Sequence, residues 1–387
     1  MNNAYIIDAL RTPVVRAGKE YARISADKLL APLLTALVER AGINAVDVDH
    51  VFLGNAAGPG GNIARVAVLA SVLPETVSAT SMDAQCASGL EAIAAGARMI
   101  RCGEADIVLA GGVESVSTAP WRVEKQESVT APPKLYSRAR FTPVPNADPE
   151  MGVAAENIAA RYNISRELQD SFALQSHQRA VKAQAEGVFD DELLPIGTST
   201  GLVSEDTCPR PSLTEKKLAA LKPAFLADGS VTAGNSCPIN DGASAVLLAS
   251  EKARQSLSPS FALKYLTAAS GAYDPELLGM AAVPAYQNLQ KQLVEEQSQH
   301  APLIEFNEAF AVQALACLDI LGIDPRTVNR NGGALALGHP YGASGAILTT
   351  RLFWQAQKQG LSGQRALALM AAAGGTGSAI AFESVVS

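Results

Sequence analysis

Short apolar strands and helical segments take turns along most of this 387-residue chain, and that alternation limits the fold more than any single motif does. Ile6 and Ile7 open a strand, and "DKLLAPLLTALVERAG" carries a helical stripe that closes on Gly42, a plausible left-handed stop. "HVFLG" reads as a buried strand, "IARVAVLASVL" as a helix and "VSATSM" as a strand. Leu90, Ile93, Ala94, Ala97 and Ile100 then line one helical face, and "ADIVLAGG" is an apolar strand throughout. Parallel strands need a crossover between them, and a helix is the usual one. The order therefore predicts an α/β fold with a mostly parallel sheet covered by helices.

From Thr118 to about Pro149 the alternation dissolves among Pro120, Pro132, Pro133, Pro143, Pro145 and Pro149. Helices follow over "AAENIAARYN", over a long segment opened by Ser165, and over "SLTEKKLAAL", where Ser212 and Glu215 have capping-box spacing. Residues 118–234 thus read as a largely helical insertion. Strand-like "ASAVLLAS" resumes the core, and a second α/β series runs from about Phe261 to the end. The two series look like a duplication. "HVFLGNAAG" resembles "LIEFNEAFA", and "VLAGGVES" echoes "AAAGGTGSAIAFES".

Composition narrows the function. A net charge of −7 argues against a general nucleic-acid binder. Cys86, Cys102, Cys208, Cys237 and Cys317 form no C-x-x-C pair and have only four histidines for company. Neither a disulfide framework nor a zinc-site spacing results, so no metal is expected and a reducing, cytoplasmic setting fits. The start, "MNNAYIIDALRTP", has no signal-peptide layout, and "ALALMAAAGGTGSAIAF" reads as two buried strands around a glycine turn rather than a membrane span.

Three residues stand where chemistry could happen. Cys86 lies where a strand gives way to a helix, so unpaired N–H groups and the helix dipole would favour its thiolate. Cys102, near the other end of that helix, reads as packing. His339 is wedged between Gly338 and Pro340, where no regular element can continue, which suits a placed acid, base or donor. His50, His177 and His300 lack such a context and read as structural or solvated. Asn307 ends an apolar strand and Glu308 follows it; helix capping explains both in isolation. Taken with Cys86 and His339, Asn307 completes a nucleophile, an imidazole and an amide at one sheet edge, a layout suited to acyl transfer through a thioester.

The ordered set "RTP" at 11–13, "GGNIAR" at 60–65, "CASGLEAI" at 86–93, "AGGVES" at 110–115, "VTAGNSCPINDGASA" at 231–245, "NEAFA" at 307–311, "NGGALALGHPYGASGA" at 331–346 and "GGTGSAIAFE" at 374–383 resembles the thiolase family over nearly the whole chain. The resemblance implies the thiolase fold: two similar βα-rich halves in a five-layered αβαβα arrangement with an inserted loop domain. The halves would be 1–117 with 235–257, and 258–387; the loop domain, 118–234, would bind coenzyme A. It implies an acyltransferase of fatty acid metabolism that works as a homodimer or homotetramer. Acyl-CoA and coenzyme A would be its partners, with no permanently bound cofactor.

Residue by residue, the resemblance makes Cys86 the acylated thiol. It gives one oxyanion hole to His339 and a water held by Asn307, and the other to the backbone N–H groups of Cys86 and Ala373. Arg210 would meet the nucleotide end of coenzyme A. Met151, Leu221, Ala224, Phe225, Ala233, Gly234, Cys237 and Phe310 would line the pantetheine path.

The family's second cysteine, which moves the proton next to the thioester, falls on Ala371 in "LMAAAGGTG". Alanine can neither give nor take a proton, and such help is worth about 10²–10⁴-fold. Glu150 in "PEMG" and "NSCP" at 235–238 are smaller departures. Three readings stay open: a thiolase with another base or an engineered alanine; an acyltransferase to an oxygen, nitrogen or decarboxylating carbon nucleophile; and a non-catalytic thiolase-fold subunit that binds acyl-CoA.

Overall fold

The computed structural model describes residues 2–126, 128–136, 138–143, 148–293 and 303–386, leaving out the side chain of Leu278. Pro145 and His300 lie outside the described residues. The chain opens with β1 (Ala4–Arg11) and the two-residue β2 (Val15–Arg16), then α1 (Ala26–Ala41) and β3 (His50–Gly54). Next come α2 (Ile63–Leu69), β4 (Ser78–Met82), α3 (Ser88–Cys102) and β5 (Ile107–Ser115). An excursion holds a hairpin of β6 (Arg122–Glu124) and β7 (Lys134–Tyr136), then α4 (Met151–Tyr162) and α5 (Arg166–Ala185). It continues with a hairpin of β8 (Ile196–Thr198) and β9 (Gly201–Val203) and with α6 (Glu215–Ala219). The core resumes with β10 (Asn240–Ser250), α7 (Glu251–Leu257), β11 (Phe261–Ala272) and α8 (Ala282–Gln292). It ends with β12 (Leu303–Phe306), α9 (Ala311–Leu321), α10 (Ala334–Leu337), α11 (Tyr341–Lys358), β13 (Arg365–Ala372) and β14 (Thr376–Val386).

The strand order is β12-β13-β14-β11-β1-β10-β5-β3-β4. Read outward from the middle, each side repeats one plan: two antiparallel pairings, then parallel strands, so the sheet is mixed and not mostly parallel as the alternation predicted. β3 and β12, whose sequences echo each other, hold equivalent places, as do β5 and β13, while the echo of β5 runs from the end of β13 through the turn into β14. The two sets join through only two rungs of β1 and β11, Tyr5 with Lys264 and Ile6 with Leu263.

Three apolar clusters divide the layers. On β10, Val246 and Leu248 face a central cluster with α3 and α11, while Ala243, Ala245, Leu247 and Ala249 face α1 and α2. α8 and α9 cover the outer face of the other strand set. The result is helices, strands, a buried helix pair, strands and helices: five layers. A bulge in β1 between Ile6 and Asp8 switches the strand's parity, so Ile6 and Ala9 both face the centre. The central helices approach closely because they are lined with small residues; a Cβ added to Gly345 would sit 2.5 Å from the Leu90 backbone nitrogen.

Several local expectations needed correction. α6 is capped by Thr214, which accepts from the Lys217 N–H at 3.3 Å, rather than by Ser212. α2 stops at Leu69, leaving Ser71 to Leu73 in turns. The proline-rich excursion contains the β6–β7 hairpin. Cys102 closes α3 but is exposed rather than packed. Finally, α9 begins only at Ala311, with Phe310 at its cap, so Asn307 and Glu308 do not cap it.

Candidate active site

Cys86 lies two residues before α3, in a turn too tight for ordinary backbone angles. Gln85 takes φ = +54°, uncommon for a residue with a side chain. Asp83 Oδ1 accepts the Gln85 N–H at 2.8 Å, and Ser88 Oγ accepts the Ala84 N–H at 2.9 Å while donating back to the Gln85 carbonyl. The thiol is 8% exposed. Its burial pushes it up to about 12, outweighing the N–H groups of Ala373 and of Cys86 itself, which pull it down. The expectation of a ready-made thiolate is thereby corrected: loss of hydration exceeds the help of the helix mouth.

His339 stands between α10 and α11. Gly338, at φ = +109°, and Pro340 hold it out of α10 and α11. Its N–H donates to Asn240 Oδ1 at 2.9 Å. The ring's Nδ1 lies 2.7 Å from Ser344 Oγ, and Nε2 lies 3.4 Å from Asn307 Nδ2. An amide nitrogen only donates, so Nε2 accepts and the ring proton sits on Nδ1, directed at Ser344. Burial pulls the imidazole down to about 4, so it is neutral near pH 7, with its one lone pair on Nε2 facing Asn307.

Asn307 is 1% exposed, and its N–H donates to the Leu369 carbonyl at 3.0 Å. Among the described residues its buried Oδ1 has no partner. A cavity of about 20 Å³ borders Asn307, Ser344, Arg11 and Arg351, room enough for one water. Glu308 is a buried hub: it accepts from Ser176 Oγ at 2.7 Å, Asn329 Nδ2 at 2.6 Å and the Leu335 N–H at 3.3 Å.

Tyr341 connects these groups. Its ring meets that of His339 edge-on at 5.5 Å, and its hydroxyl is close enough to Cys86 and Cys237 to respond to charge on either. Glu114, at the end of β5, clamps the same turn. Its carboxylate accepts from the N–H groups of Ala56, Ala57 and Gly342 and from Asn55 Nδ2, at 2.9–3.1 Å. Ala371, buried opposite Gly377 near the end of β13, has only a methyl group, and Ala373 follows in the turn.

The residues expected along the pantetheine path fall around one seam. Phe225 packs edge-on to Phe310 at 6.2 Å and covers Gly152, next to Met151. Leu221 lies against Gly234, beside exposed Ala233, and the Ala224 N–H donates to the Val231 carbonyl at 2.9 Å. The Cys237 N–H donates to the Ala309 carbonyl at 3.0 Å. Arg210 is anchored through α5 instead, its N–H on His177 Nδ1 at 3.2 Å with Arg16 nearby. That bond gives His177 a structural role, and His50 spends its ring on Ser78 and Thr80.

The roles of Ser344, Asn240, Glu114 and Gln85 escaped the sequence reading. Only the Ser344 contact had a usable signal: a hydroxyl five residues after the histidine, inside the same glycine-rich stretch.

Comparison with known proteins agrees with this architecture. The family model "Thiolase, N-terminal domain" matches residues 4–252, and "Thiolase, C-terminal domain" matches residues 260–384. The chain belongs to the thiolase family of acyltransferases. It is 39% identical over 386 residues to a putative acetyl-CoA C-acetyltransferase VraB of Staphylococcus aureus, covering 99% of each chain. It is 41% identical over 407 residues to a beta-ketoadipyl-CoA thiolase of Pseudomonas aeruginosa, covering 98% of this chain and 99% of that one. The crystal structure of the Bacillus anthracis acetyl-CoA acetyltransferase superposes with a TM-score of 0.90 at 35% identity, covering 100% of this chain and 99% of that one.

Proposed function

We propose that this protein moves acyl groups between coenzyme A thioesters through an acyl-Cys86 intermediate, by thiolytic cleavage or Claisen condensation of 3-oxoacyl-CoA. The observation that carries this reading is the neutral His339, whose Nδ1–H is spent on Ser344 and whose Nε2 is left as an acceptor. Nε2 takes the Cys86 proton as sulfur attacks the carbonyl carbon. It then carries the N–H that, with a water on Asn307, meets the oxygen bearing the new charge. The amides of Cys86 and Ala373 serve the second oxyanion. Arg210 meets the nucleotide phosphates, and residues 118–234 act as the coenzyme A-binding loop domain between halves 1–117 with 235–257 and 258–387.

The test is mass spectrometry after incubation with acyl-CoA. An acyl adduct on Cys86 with release of free coenzyme A is expected; an unmodified Cys86 removes the proposal.

Ala371 favours a second reading, in which acyl-Cys86 is transferred to an oxygen, nitrogen or decarboxylating carbon nucleophile, because that chemistry needs no proton transfer at residue 371. Acetoacetyl-CoA thiolysis by the unmodified protein separates the two. A purely binding subunit has no use for the partnerless Asn307 Oδ1 beside a neutral imidazole.

Assembly as a homodimer or homotetramer belongs to the same proposal. Trp121, Val129 and Leu135, on and around the β6–β7 hairpin, are 90%, 97% and 65% exposed, more apolar surface than a lone hairpin normally shows to water. Sedimentation measures the assembly. Five unpaired thiols suit the cytoplasm, and among the described residues no helix is long and apolar enough to cross a membrane.

A further inference from the structure

Carbon–carbon chemistry at this site needs a group that moves the proton on the carbon beside the thioester, and Ala371 cannot. The other proton carriers around Cys86 can be weighed in turn. Glu114 has its carboxylate filled by four donors, and Glu308 has both oxygens engaged. His339 is committed to the Cys86 proton. Tyr341 is a buried phenol pushed above its ordinary range.

Cys237 differs from all of these. The segment from Ser236 to Asn240 is stretched between the two halves of the site. Ser236 bridges Phe310, the Cys237 N–H donates to the Ala309 carbonyl, Ile239 bridges His339, and Asn240 Oδ1 accepts the His339 N–H. Cys237 is therefore at most about 7 Å along the backbone from the residue that pairs with His339. Its main-chain bond is to Ala309, two residues beyond the partnerless Asn307 amide oxygen. Among the described residues no other side chain is hydrogen-bonded to its sulfur. Burial raises the thiol above its ordinary value, and charge on Cys86 raises it further.

We propose that Cys237 is the second catalytic thiol of this protein, exchanging the proton at C-2 of the acetyl unit while Cys86 carries the acyl group. The proposal rests on the acyl-transfer reading above. In thiolysis, His339 takes the Cys86 proton, the bond from sulfur to C-3 forms, and the C-2–C-3 bond breaks. C-2 takes the proton of the Cys237 thiol, and acetyl-CoA leaves. Coenzyme A then gives its thiol proton to the Cys237 thiolate and attacks the acyl carbon. The bond from Cys86 to carbon breaks, and the Cys86 sulfur recovers its proton from His339. One 3-oxoacyl-CoA and one coenzyme A become two thioesters, with every proton returned. A thiol held protonated by burial is suited to the first of its two transfers, and its thiolate is a strong base for the second.

The test compares the full-length protein with Cys237→Ser and Cys237→Ala. Two readouts are followed: acylation of Cys86 by mass spectrometry, and hydrogen–deuterium exchange at C-2 of acetyl-CoA in heavy water. The expected result is exchange in the parent, a loss of about 10²–10⁴-fold in both variants, and continued acylation of Cys86, which also shows that the variants fold. Adding Ala371→Cys to Cys237→Ser should recover exchange. Exchange that survives in both variants overturns the role of Cys237. So does a parent that acylates Cys86 but shows no exchange, and in either case the acyl-transfer reading is left standing. A parent that fails to acylate Cys86 overturns both.

Discussion

Arg11 and Asp206 meet through two parallel hydrogen bonds, Nη1 to Oδ1 at 2.7 Å and Nη2 to Oδ2 at 2.8 Å, with neither side chain exposed. Arg11 Nε reaches Glu192 at 2.8 Å, and the guanidinium lies 5.3 Å from the centre of the Phe189 ring. The end of β1 is thus fastened to the stretch between α5 and α6, inside the helical excursion. The Asp206 and Glu192 charges hold Arg11 charged against the cost of its burial. Asp206→Ala leaves Glu192 as the counter-charge but strips two guanidinium nitrogens and the Val14 N–H of their acceptor, so it should cost about 3 kcal/mol. Urea denaturation measures the loss; a change below about 1 kcal/mol would contradict the clamp.

The pH dependence of Cys86 acylation follows from the two opposed shifts. His339, pulled down to about 4, is a neutral base above that value, and Cys86, pushed up to about 12, keeps its proton throughout the neutral range. Acylation should therefore stay level from about pH 6 to 9 and fall as His339 gains its proton in acid. In His339→Ala only prior loss of the thiol proton remains, so the slow residual rate should climb about tenfold per pH unit. Stopped-flow release of coenzyme A across pH distinguishes the two profiles.

Ser344→Ala should slow acylation about tenfold, equivalent to roughly 1.4 kcal/mol. The alanine leaves Nδ1–H without its acceptor, freeing the ring to turn or to place its proton on Nε2. Ser344→Thr keeps a hydroxyl and should recover part of the loss. Equal rates in the alanine variant and the parent would show that Ser344 does not set the tautomer.

Glu114→Gln replaces a pure acceptor with a group that also donates, so at least one of the Ala56, Ala57 and Gly342 N–H groups loses its partner. The expected cost is about 1–3 kcal/mol of stability, with slower acylation because Gly342 is three residues from His339. Thermal unfolding and the acylation rate should move together. Loss of one without the other would separate the clamp from the site.

What could be read from the sequence followed from periodicity and from interruption. The apolar stripe from Leu90 to Ile100 marked a buried helix, and all five of its residues are in the central cluster. Cys86 and His339 stood out because strands, glycine and proline broke the pattern around them. The protonation of Cys86 was misjudged because a helix mouth is visible in a sequence, whereas the surrounding hydrocarbon comes from distant segments. Glu308 shows the same limit. It reads as an acid in the first turn of a helix capped by Asn307, yet its partners Ser176, Asn329 and Leu335 lie 21 to 132 positions away. Thr214 takes the place of Ser212 because both hydroxyls stand just before α6, and only Thr214 is three residues from an N–H of its first turn that it accepts from.

The two rungs between β1 and β11 have a consequence for how the catalyst comes into being. On the acyl-transfer reading, the attacking sulfur belongs to one strand set, and the imidazole, the amide and the Ala373 turn belong to the other. Reactivity on that reading is a property of the seam, since neither strand set holds both the sulfur and the imidazole. A measured turnover therefore reports how well the two repeats fit together as much as it reports chemistry.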